Sequence, residues 1–182
     1  VFAAEPSRSA AFCAFDLAKK AGLPMIFDVD YRPYSWPSAE VASETYSRAA
    51  KYCDIIVGND VEFGFMAGDY EQGLKKAKDL ANTTAKIVIY KMGELGAITL
   101  TADNEIRTGI YPAQAIKPTG AGDSFMGGFV AGLADGRPLE EAVLRGSACA
   151  SMVVARVGCA PAMPNTLELE DFLRGHAGPT EV

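Results

Sequence analysis

Short apolar segments alternate with segments of helical periodicity along most of this chain of 182 residues. Residues 23–29, 54–58 and 86–90 have the length and apolar character of buried strands. Segments with helical spacing surround them and are predicted to be helices at 7–21, 38–52, 61–67, 70–81, 121–134, 139–157 and 167–174. Because parallel strands need crossover connections, this alternation predicts an α/β fold with a mainly parallel sheet.

Two more strands, 97–101 and 105–111, are predicted to pair through a turn at 102–104. Only residues 175–182 are predicted to form a frayed tail. In open sheets of this type, ligands bind beyond the carboxyl ends of the strands. The polar residues that follow the predicted strands are therefore the first candidates for a functional site.

The composition excludes several classes of protein. With a net charge of −6 the chain has no basic patch for nucleic-acid phosphates, and no apolar run approaches the length of a membrane span. The four cysteines have neither the spacing of a metal site nor the density of a disulfide scaffold. We therefore expect one cytoplasmic domain with free thiols, and neither nucleic acid nor membrane as a partner.

A glycine-containing turn, Thr-Gly-Ala-Gly-Asp-Ser-Phe at 119–125, opens the predicted helix 121–134. Gly120 and Gly122 allow a sharp turn with uncovered N–H groups, and the start of the helix adds free donors and the positive end of its dipole. Such a turn binds anions, above all phosphate, and the carboxylate of Asp123 beside it is a candidate catalytic base. The alternative is an ordinary helix start with Asp123 as a capping residue.

Three other motifs fail on spacing. A dinucleotide fingerprint needs a third glycine where the chain has Phe125, and a P-loop needs a lysine where it has Gly128. A hydrolase with Ser124 as nucleophile needs a histidine base, and the only histidine, His176, lies in the C-terminal tail. Anion binding by the turn and a plain helix start are the two interpretations that remain.

Two polar clusters follow predicted strands. Asp28 and Asp30 share one face of an extended segment, and Arg32 continues that face, where it could pair with a carboxylate or a phosphate. A solvated loop with an ion pair is the alternative. Asn59 and Glu62 stand three residues apart at a helix start, which is also the spacing of a capping box that binds no ligand.

Two further segments also have simple structural interpretations. Residues 91–96 form a glycine-containing connection between two predicted strands. Residues 147–158 are rich in alanine and other small residues that permit close helix packing.

The segment 119–125 resembles the C-terminal signature of the ribokinase-like, or PfkB, family of carbohydrate kinases. Other segments of the chain resemble further motifs of the family and occur in the same order as in the family. Residues 28–32 are similar to the family's Asp-x-Asn-x-Arg segment, with Asp30 where most members have Asn, and 59–62 are similar to its Asn-x-x-Glu motif. The resemblance covers nearly the whole chain. It implies a ribokinase-like three-layer sandwich with a mainly parallel central sheet, and phosphorylation of a primary hydroxyl of a sugar or sugar acid by ATP.

The resemblance also implies roles for individual residues. The anion hole would be formed by Gly120, Ala121 and Gly122, and Asp123 would accept the proton of the hydroxyl. Asn59 and Glu62 would organise Mg²⁺ around the nucleotide phosphates. The phosphate and substrate side would hold Asp28, Asp30 and Arg32, and the nucleotide side would hold Lys91, Gly93, Gly96 and Ser147, the last where relatives often have Asn.

Arg32 and Pro33 followed by Trp36 are similar to the branch of the family that phosphorylates 5-dehydro-2-deoxygluconate in myo-inositol catabolism. Kinases of the family for 2-keto-3-deoxygluconate, fructose or ribose are alternatives, and so is a nucleotide-binding module without catalysis. Lys117 stands where many relatives have an aspartate beside a monovalent cation, so we expect its ammonium group to replace that cation.

In the family, a preceding portion supplies the first strands, most sugar-binding residues and a small β-sheet lid that often forms a dimer. We therefore expect residues 1–182 to be the C-terminal nucleotide-binding portion of a single carbohydrate kinase domain, with the N-terminal strands and the lid missing. The full-length protein is expected to be a homodimer that acts on a small sugar or sugar acid.

Overall fold

The structure is a computed structural model that describes residues 1–182 as two compact units. The first unit holds Val1–Met92 and Ile98–Glu105, and the second holds Gly93–Ala97 and Ile106–Val182. None of the helices is both long and apolar enough to cross a membrane.

Helices and strands alternate along the chain, which confirms the α/β fold class. The strands are β1 (Ile26–Asp28), β2 (Ile55–Asn59), β3 (Ile87–Lys91), β4 (Ala97–Leu100) and β5 (Glu105–Thr108). The helices are α1 (Ser7–Lys20), α2 (Ala39–Ala50), α3 (Asp60–Ala67), α4 (Gly73–Thr83), α5 (Ala121–Ala134), α6 (Leu139–Val154) and α7 (Thr166–Gly175).

The five strands form one sheet in the order β1-β2-β3-β4-β5, in which β1 pairs with β2 and β2 with β3, both in parallel. In this register Asp28 lies opposite Val57, and Asn59 lies opposite Lys91. The carboxyl ends of three strands therefore bring Asp28, Asn59 and Lys91 to the same edge of the sheet.

The core of the first unit forms around β2, whose first four residues are buried because strands flank it on both sides. Rings from three elements pack beside it: Phe12 of α1, Phe27 of β1 and Tyr46 of α2. The centroids of Phe27 and Tyr46 are 5.8 Å apart, within the usual range for aromatic pairs. This packing holds the N-terminal helix against the start of the sheet.

In the second unit, glycines allow α5 and α6 to approach closely. A Cβ on Gly128 would lie 2.7 Å from the sulfur of Cys149, and a Cβ on Gly146 would lie 2.7 Å from the carbonyl oxygen of Phe125. Gly128 of α5 and Gly146 of α6 thus serve the packing of these two helices. α7 is held to α6 by an ion pair between Arg145 Nη2 and Glu170 Oε1 at 2.6 Å.

Several predicted element boundaries were wrong, each for a local reason. The strand predicted at 23–29 is only Ile26–Asp28, because the N–H of Leu23 donates to Ala18 O and closes α1 instead. The helix predicted at 139–157 ends at Val154, whose carbonyl accepts the N–H groups of Ile116 and Lys117 at 2.7 and 3.1 Å. The helix predicted at 70–81 begins as a 3-10 turn, Tyr70–Gln72, and becomes α-helical from Gly73.

The prediction of a frayed tail at 175–182 was also wrong. α7 continues to Gly175, and beyond it the N–H of Thr180 donates to Ile110 O at 2.8 Å, while the N–H of Ile110 donates to Thr180 Oγ1 at 3.0 Å. The same contact explains why β5 ends at Thr108 and not at 111, since Ile110 is paired with the tail.

Candidate active site

Asn59 and Glu62 form a reciprocal capping box at the start of α3. The Glu62 N–H donates to Asn59 Oδ1 at 2.8 Å, and the Asn59 N–H donates to Glu62 Oε2 at 2.7 Å. The other carboxylate oxygen, Oε1, accepts the N–H of Tyr31 at 3.2 Å, and Glu62 is buried. The capping box that the spacing of this pair allowed is therefore present. The Glu62 carboxylate is also fixed by two backbone donors, from Asn59 and Tyr31.

The second cluster follows β1 and includes an ion pair. Arg32 Nη2 lies 2.5 Å from Asp30 Oδ1, and the two side chains are 52% and 62% exposed. Asp30 has a φ of +41°, a conformation that Asp and Asn adopt more readily than most residues. Asp30 therefore meets the same backbone requirement that an Asn would meet at this position.

A cavity of about 480 Å³ in the first unit brings Asp28, Asp30 and Arg32 together. Trp36 and Tyr46 are part of its wall, and burial raises the pKa of the Tyr46 phenol. Apolar walls with a few convergent polar groups are typical of small-molecule sites. The three residues predicted for the phosphate and substrate side thus share one cavity.

The glycine turn of the second unit starts α5 with Gly120 as N-cap. Gly120 has a φ of +89°, and a Cβ there would lie 2.8 Å from Cys159 Sγ. The N–H of Ala121 donates to Pro118 O, whereas the N–H groups of Gly122 and Asp123 have no acceptor within the chain. Asp123 is exposed, and its carboxylate has no partner in the chain. The turn therefore presents free donors next to a free carboxylate.

The residues predicted for the nucleotide side have different environments. Lys91 ends β3 opposite Asn59. Gly93 has a φ of +58°, and a Cβ there would have nothing within 4 Å, whereas a Cβ on Gly96 would lie 2.0 Å from Thr108 O. Ser147 is buried in α6, and its hydroxyl donates to Gly109 O at 3.4 Å. Gly93 is open to a ligand, while Gly96 and Ser147 both contact the backbone of the segment 108–109.

Two contacts that support this site were not predicted from the sequence. The N–H of Tyr31 fixes the Glu62 carboxylate, although 31 positions separate the two residues. Cys159 lies directly against Gly120. Neither contact has a local sequence signal, because both join segments that only the fold brings together.

Comparisons with known proteins identify the family of the chain. Residues 2–166 match the family described as pfkB family carbohydrate kinase. The chain is 39% identical over 178 residues to the 5-dehydro-2-deoxygluconokinase of Geobacillus kaustophilus, an alignment that takes in 96% of this chain and 53% of that protein. The chain thus spans about half the length of the curated relatives it matches.

Two solved structures show the same fold. An aminoimidazole riboside kinase from Salmonella enterica, in complex with aminoimidazole riboside and an ATP analogue, superposes with a TM-score of 0.84 at 26% identity, covering 94% of this chain and 59% of that one. A fructokinase from Vibrio cholerae, bound to fructose, ADP and calcium, gives 0.85 at 27% identity, covering 94% and 57%. The ribokinase-like fold is therefore confirmed, and the chain belongs to the pfkB family of carbohydrate kinases.

Proposed function

We propose that the protein transfers a phosphoryl group from ATP to a primary hydroxyl of a sugar or sugar acid. The observation that carries this proposal is the start of α5, where the unpaired N–H groups of Gly122 and Asp123 stand beside the free carboxylate of Asp123. Relatives that carry kinase names, some of them solved with ADP or an ATP analogue, support ATP as the donor.

Phosphoryl transfer depends on positioning and on stabilising charge that spreads over the transferred group. Of the predicted anion hole Gly120, Ala121 and Gly122, the Ala121 N–H is taken by Pro118 O, so the free N–H groups of Gly122 and Asp123 would face that charge, with the positive end of the α5 dipole behind them. Asp123 would accept the hydroxyl proton as negative charge develops on the acceptor oxygen. Both functions come from one turn of helix, so the base and the phosphoryl group are held next to each other.

Glu62 and Asn59 would hold Mg²⁺, and the donor set fits an indirect mode of binding. Both oxygens of Glu62 already accept a backbone N–H, and no group of three or more metal-ligating side chains exists in the chain. Carboxylate oxygens have further lone pairs for water, and Mg²⁺ keeps several waters while taking few protein ligands. When bound, the ion would neutralise charge on the nucleotide phosphates.

For the acceptor we propose 5-dehydro-2-deoxy-D-gluconate, as part of myo-inositol catabolism in the cytoplasm. The relative with 39% identity is named for this substrate. A sugar acid carries a carboxylate that fructose and ribose lack, and Arg32 supplies a guanidinium group to the cavity of the first unit. Arg32 is already paired with Asp30, so the carboxylate of a sugar acid would have to bind the remaining N–H groups of this guanidinium or displace Asp30 from it.

The test is turnover by the full-length protein with MgATP and a panel of 5-dehydro-2-deoxygluconate, 2-keto-3-deoxygluconate, fructose and ribose. We expect Asp123→Asn to lower kcat by about 100-fold to 10,000-fold, the usual contribution of a general base. Asp135→Asn, at the other end of the same helix, is the matched control and should retain activity.

Nucleotide binding without phosphorylation of any acceptor would replace the kinase proposal with a binding module. Preference for a neutral sugar would move the assignment to another branch of the family.

A further inference from the structure

The C-terminal strap, defined here as residues 176–180, is joined to the segment 109–111 by two hydrogen bonds. The N–H of Thr180 donates to Ile110 O at 2.8 Å, and Thr180 Oγ1 accepts the N–H of Ile110 at 3.0 Å. Both polar groups of the Ile110 backbone are therefore satisfied by one residue of the strap. The second bond needs a side-chain hydroxyl at position 180, so most other residue types could not replace Thr180 here.

The ring of His176 holds the other end of the strap. It packs edge-on against Tyr111, with centroids 5.2 Å apart, and at a tilt against Phe172, with centroids 4.9 Å apart. Its Nε2 lies 3.3 Å from Pro112 O, and its Nδ1 accepts the N–H of Gly178 at 3.2 Å. The strap is thus fixed at two points, His176 and Thr180.

The segment under the strap is held from α6 as well. Ser147 Oγ donates to Gly109 O at 3.4 Å, and Ser151 Oγ donates to Tyr111 O at 2.6 Å. Both serines are buried, so these bonds are shielded from water. The backbone of 109–111 therefore has buried hydroxyl donors from α6 together with the backbone and side chain of Thr180 from the strap.

Gly109 is the point at which these contacts converge. A Cβ on Gly109 would lie 2.0 Å from Thr180 O, and a Cβ on Gly96 would lie 2.0 Å from Thr108 O and 3.0 Å from Gly109 Cα. Gly96 and Ser147, two residues predicted for the nucleotide side, thus both touch the 108–109 backbone. Thr180 contacts the same backbone, and no motif of the sequence had indicated a role for this residue.

We propose that Thr180 is a positioning residue for the nucleotide: it fixes the 108–110 backbone and, through it, the Gly96 turn and the Ser147 side chain. This inference rests on the proposed function, because it takes Gly96 and Ser147 as neighbours of bound ATP. Loss of the Thr180 hydroxyl leaves the Ile110 N–H without its acceptor and frees the strap. Nucleotide affinity then falls, whereas the proton transfer at Asp123 is unaffected.

The experiment compares Thr180→Val with Thr180→Ser in the full-length protein. Valine keeps the shape of threonine without the hydroxyl, and serine keeps the hydroxyl, so their difference isolates the bond to Ile110. For Thr180→Val we expect KM for ATP and the calorimetric Kd for ADP to rise about fivefold to tenfold, the ratio that corresponds to one ordinary hydrogen bond. We expect kcat and the acceptor KM to stay unchanged, and Thr180→Ser to restore nucleotide affinity. Amide exchange at Ile110 should be faster in Thr180→Val alone.

Several results would overturn the inference. A Kd for ADP and a KM for ATP that match the unsubstituted protein in Thr180→Val would show that the strap does not position the nucleotide site. Equal losses in kcat, acceptor KM and thermal stability would show a general structural role. If the unsubstituted protein binds ADP without turning over any sugar, the kinase proposal fails, while the Kd comparison still decides the role of Thr180. If it binds no nucleotide, both proposals fail.

Discussion

The carboxylate of Glu62 closes the capping box of α3 and is also the group expected to organise Mg²⁺. Glu62→Gln separates the two roles, because glutamine serves in a capping box but carries no charge. Both carboxylate oxygens accept a backbone N–H, whereas glutamine has one amide oxygen, so one of these two donors loses its acceptor and the free energy of unfolding should fall by about 1–3 kcal/mol. Activity at limiting Mg²⁺ should fall about 10-fold to 100-fold, the usual cost of losing a group that orients metal-bound water.

A matched control for this substitution exists in the same chain. Asn165 and Glu168 form a capping box of the same geometry at the start of α7, with no predicted part in metal binding. Glu168→Gln should leave the Mg²⁺ dependence of kcat/KM as it was. If Glu62→Gln behaves in the same way as this control, Glu62 is a cap and nothing more.

Gly120 is required by the backbone as well as by its neighbour. Its φ of +89° disfavours any L side chain, and a Cβ would lie 2.8 Å from Cys159 Sγ. Gly120→Ala should therefore destabilise the protein by about 1–3 kcal/mol, measured by urea unfolding. Gly127→Ala, in the same helix with nothing within 4 Å, should instead stabilise it by about 0.5–1 kcal/mol. Equal effects at the two positions would contradict a special conformation at the turn.

Lys117 is exposed, and its backbone N–H is tied to Val154 O at 3.1 Å just before the glycine turn. If its ammonium group replaces a monovalent cation, kcat of the full-length protein should be the same in sodium and potassium buffers. Lys117→Asp introduces the aspartate expected at this position from the family resemblance and should make kcat depend on potassium. A strong potassium dependence in the unsubstituted protein would rule out the substitution of cation by lysine.

Among the secondary-structure elements, β1, β2 and β3 are joined at their start by Asp54. Its Oδ2 accepts the Met25 N–H at 3.0 Å, and its Oδ1 pairs with Lys86 Nζ at 2.9 Å. The hydrogen bond from Met25, followed by the bond from Lys86, lowers the pKa of Asp54 below its ordinary value of 3.8. A lowered pKa means that the folded state binds this proton less readily than the unfolded state does.

The contribution of Asp54 to stability is therefore fully present above about pH 4 and is lost as the pH falls through the lower folded pKa. Asp54→Asn should cost about 0.5–1.5 kcal/mol at pH 7, because asparagine can still accept the Met25 N–H and the lost ion pair with Lys86 is largely exposed, and it should flatten the loss of stability below pH 4. Urea unfolding at several pH values measures both effects. Asp79→Asn, on the exposed face of α4, is the control and should leave the curve unchanged. An unchanged acid limb in Asp54→Asn would mean that other carboxylates dominate.

Elements with local signals were predicted well, and those that depend on distant contacts were not. The glycine turn placed the start of α5 at Ala121, and the buried run placed β2 within a residue of its bounds, because capping and apolar periodicity are encoded in neighbouring residues. β1 and the C-terminal tail were missed in part. Strand pairing decides the bounds of β1, and the tail is fixed by Ile110, 70 positions away from Thr180.

The candidate site divides in the same way. Motif spacing selected Asp123, Glu62 and Arg32, and the structure shows local geometry at each that is compatible with the role expected. Spacing did not reveal that the glutamate is fixed by Tyr31, or that a cysteine supports the glycine turn. Supporting contacts are made through space, so only the folded chain identifies them.

Taken as a whole, the chain carries a net charge of −6, so its overall field does not attract nucleotide anions. Affinity for ADP must come from local donors, and the second unit contains the glycine turn, Gly93, Gly96 and Ser147. We therefore expect the 182-residue chain to bind MgADP within about tenfold of the full-length protein, a difference of about 1.4 kcal/mol. Phosphoryl transfer also needs an oriented acceptor and the exclusion of water, so the same chain should show no turnover of any sugar. Calorimetry with MgADP and a coupled kinase assay, run on both lengths of protein, measure the two properties separately.

Turnover by the 182-residue chain at the rate of the full-length protein would mean that these residues already orient the acceptor. Loss of ADP binding would instead mean that the nucleotide site depends on residues outside this chain.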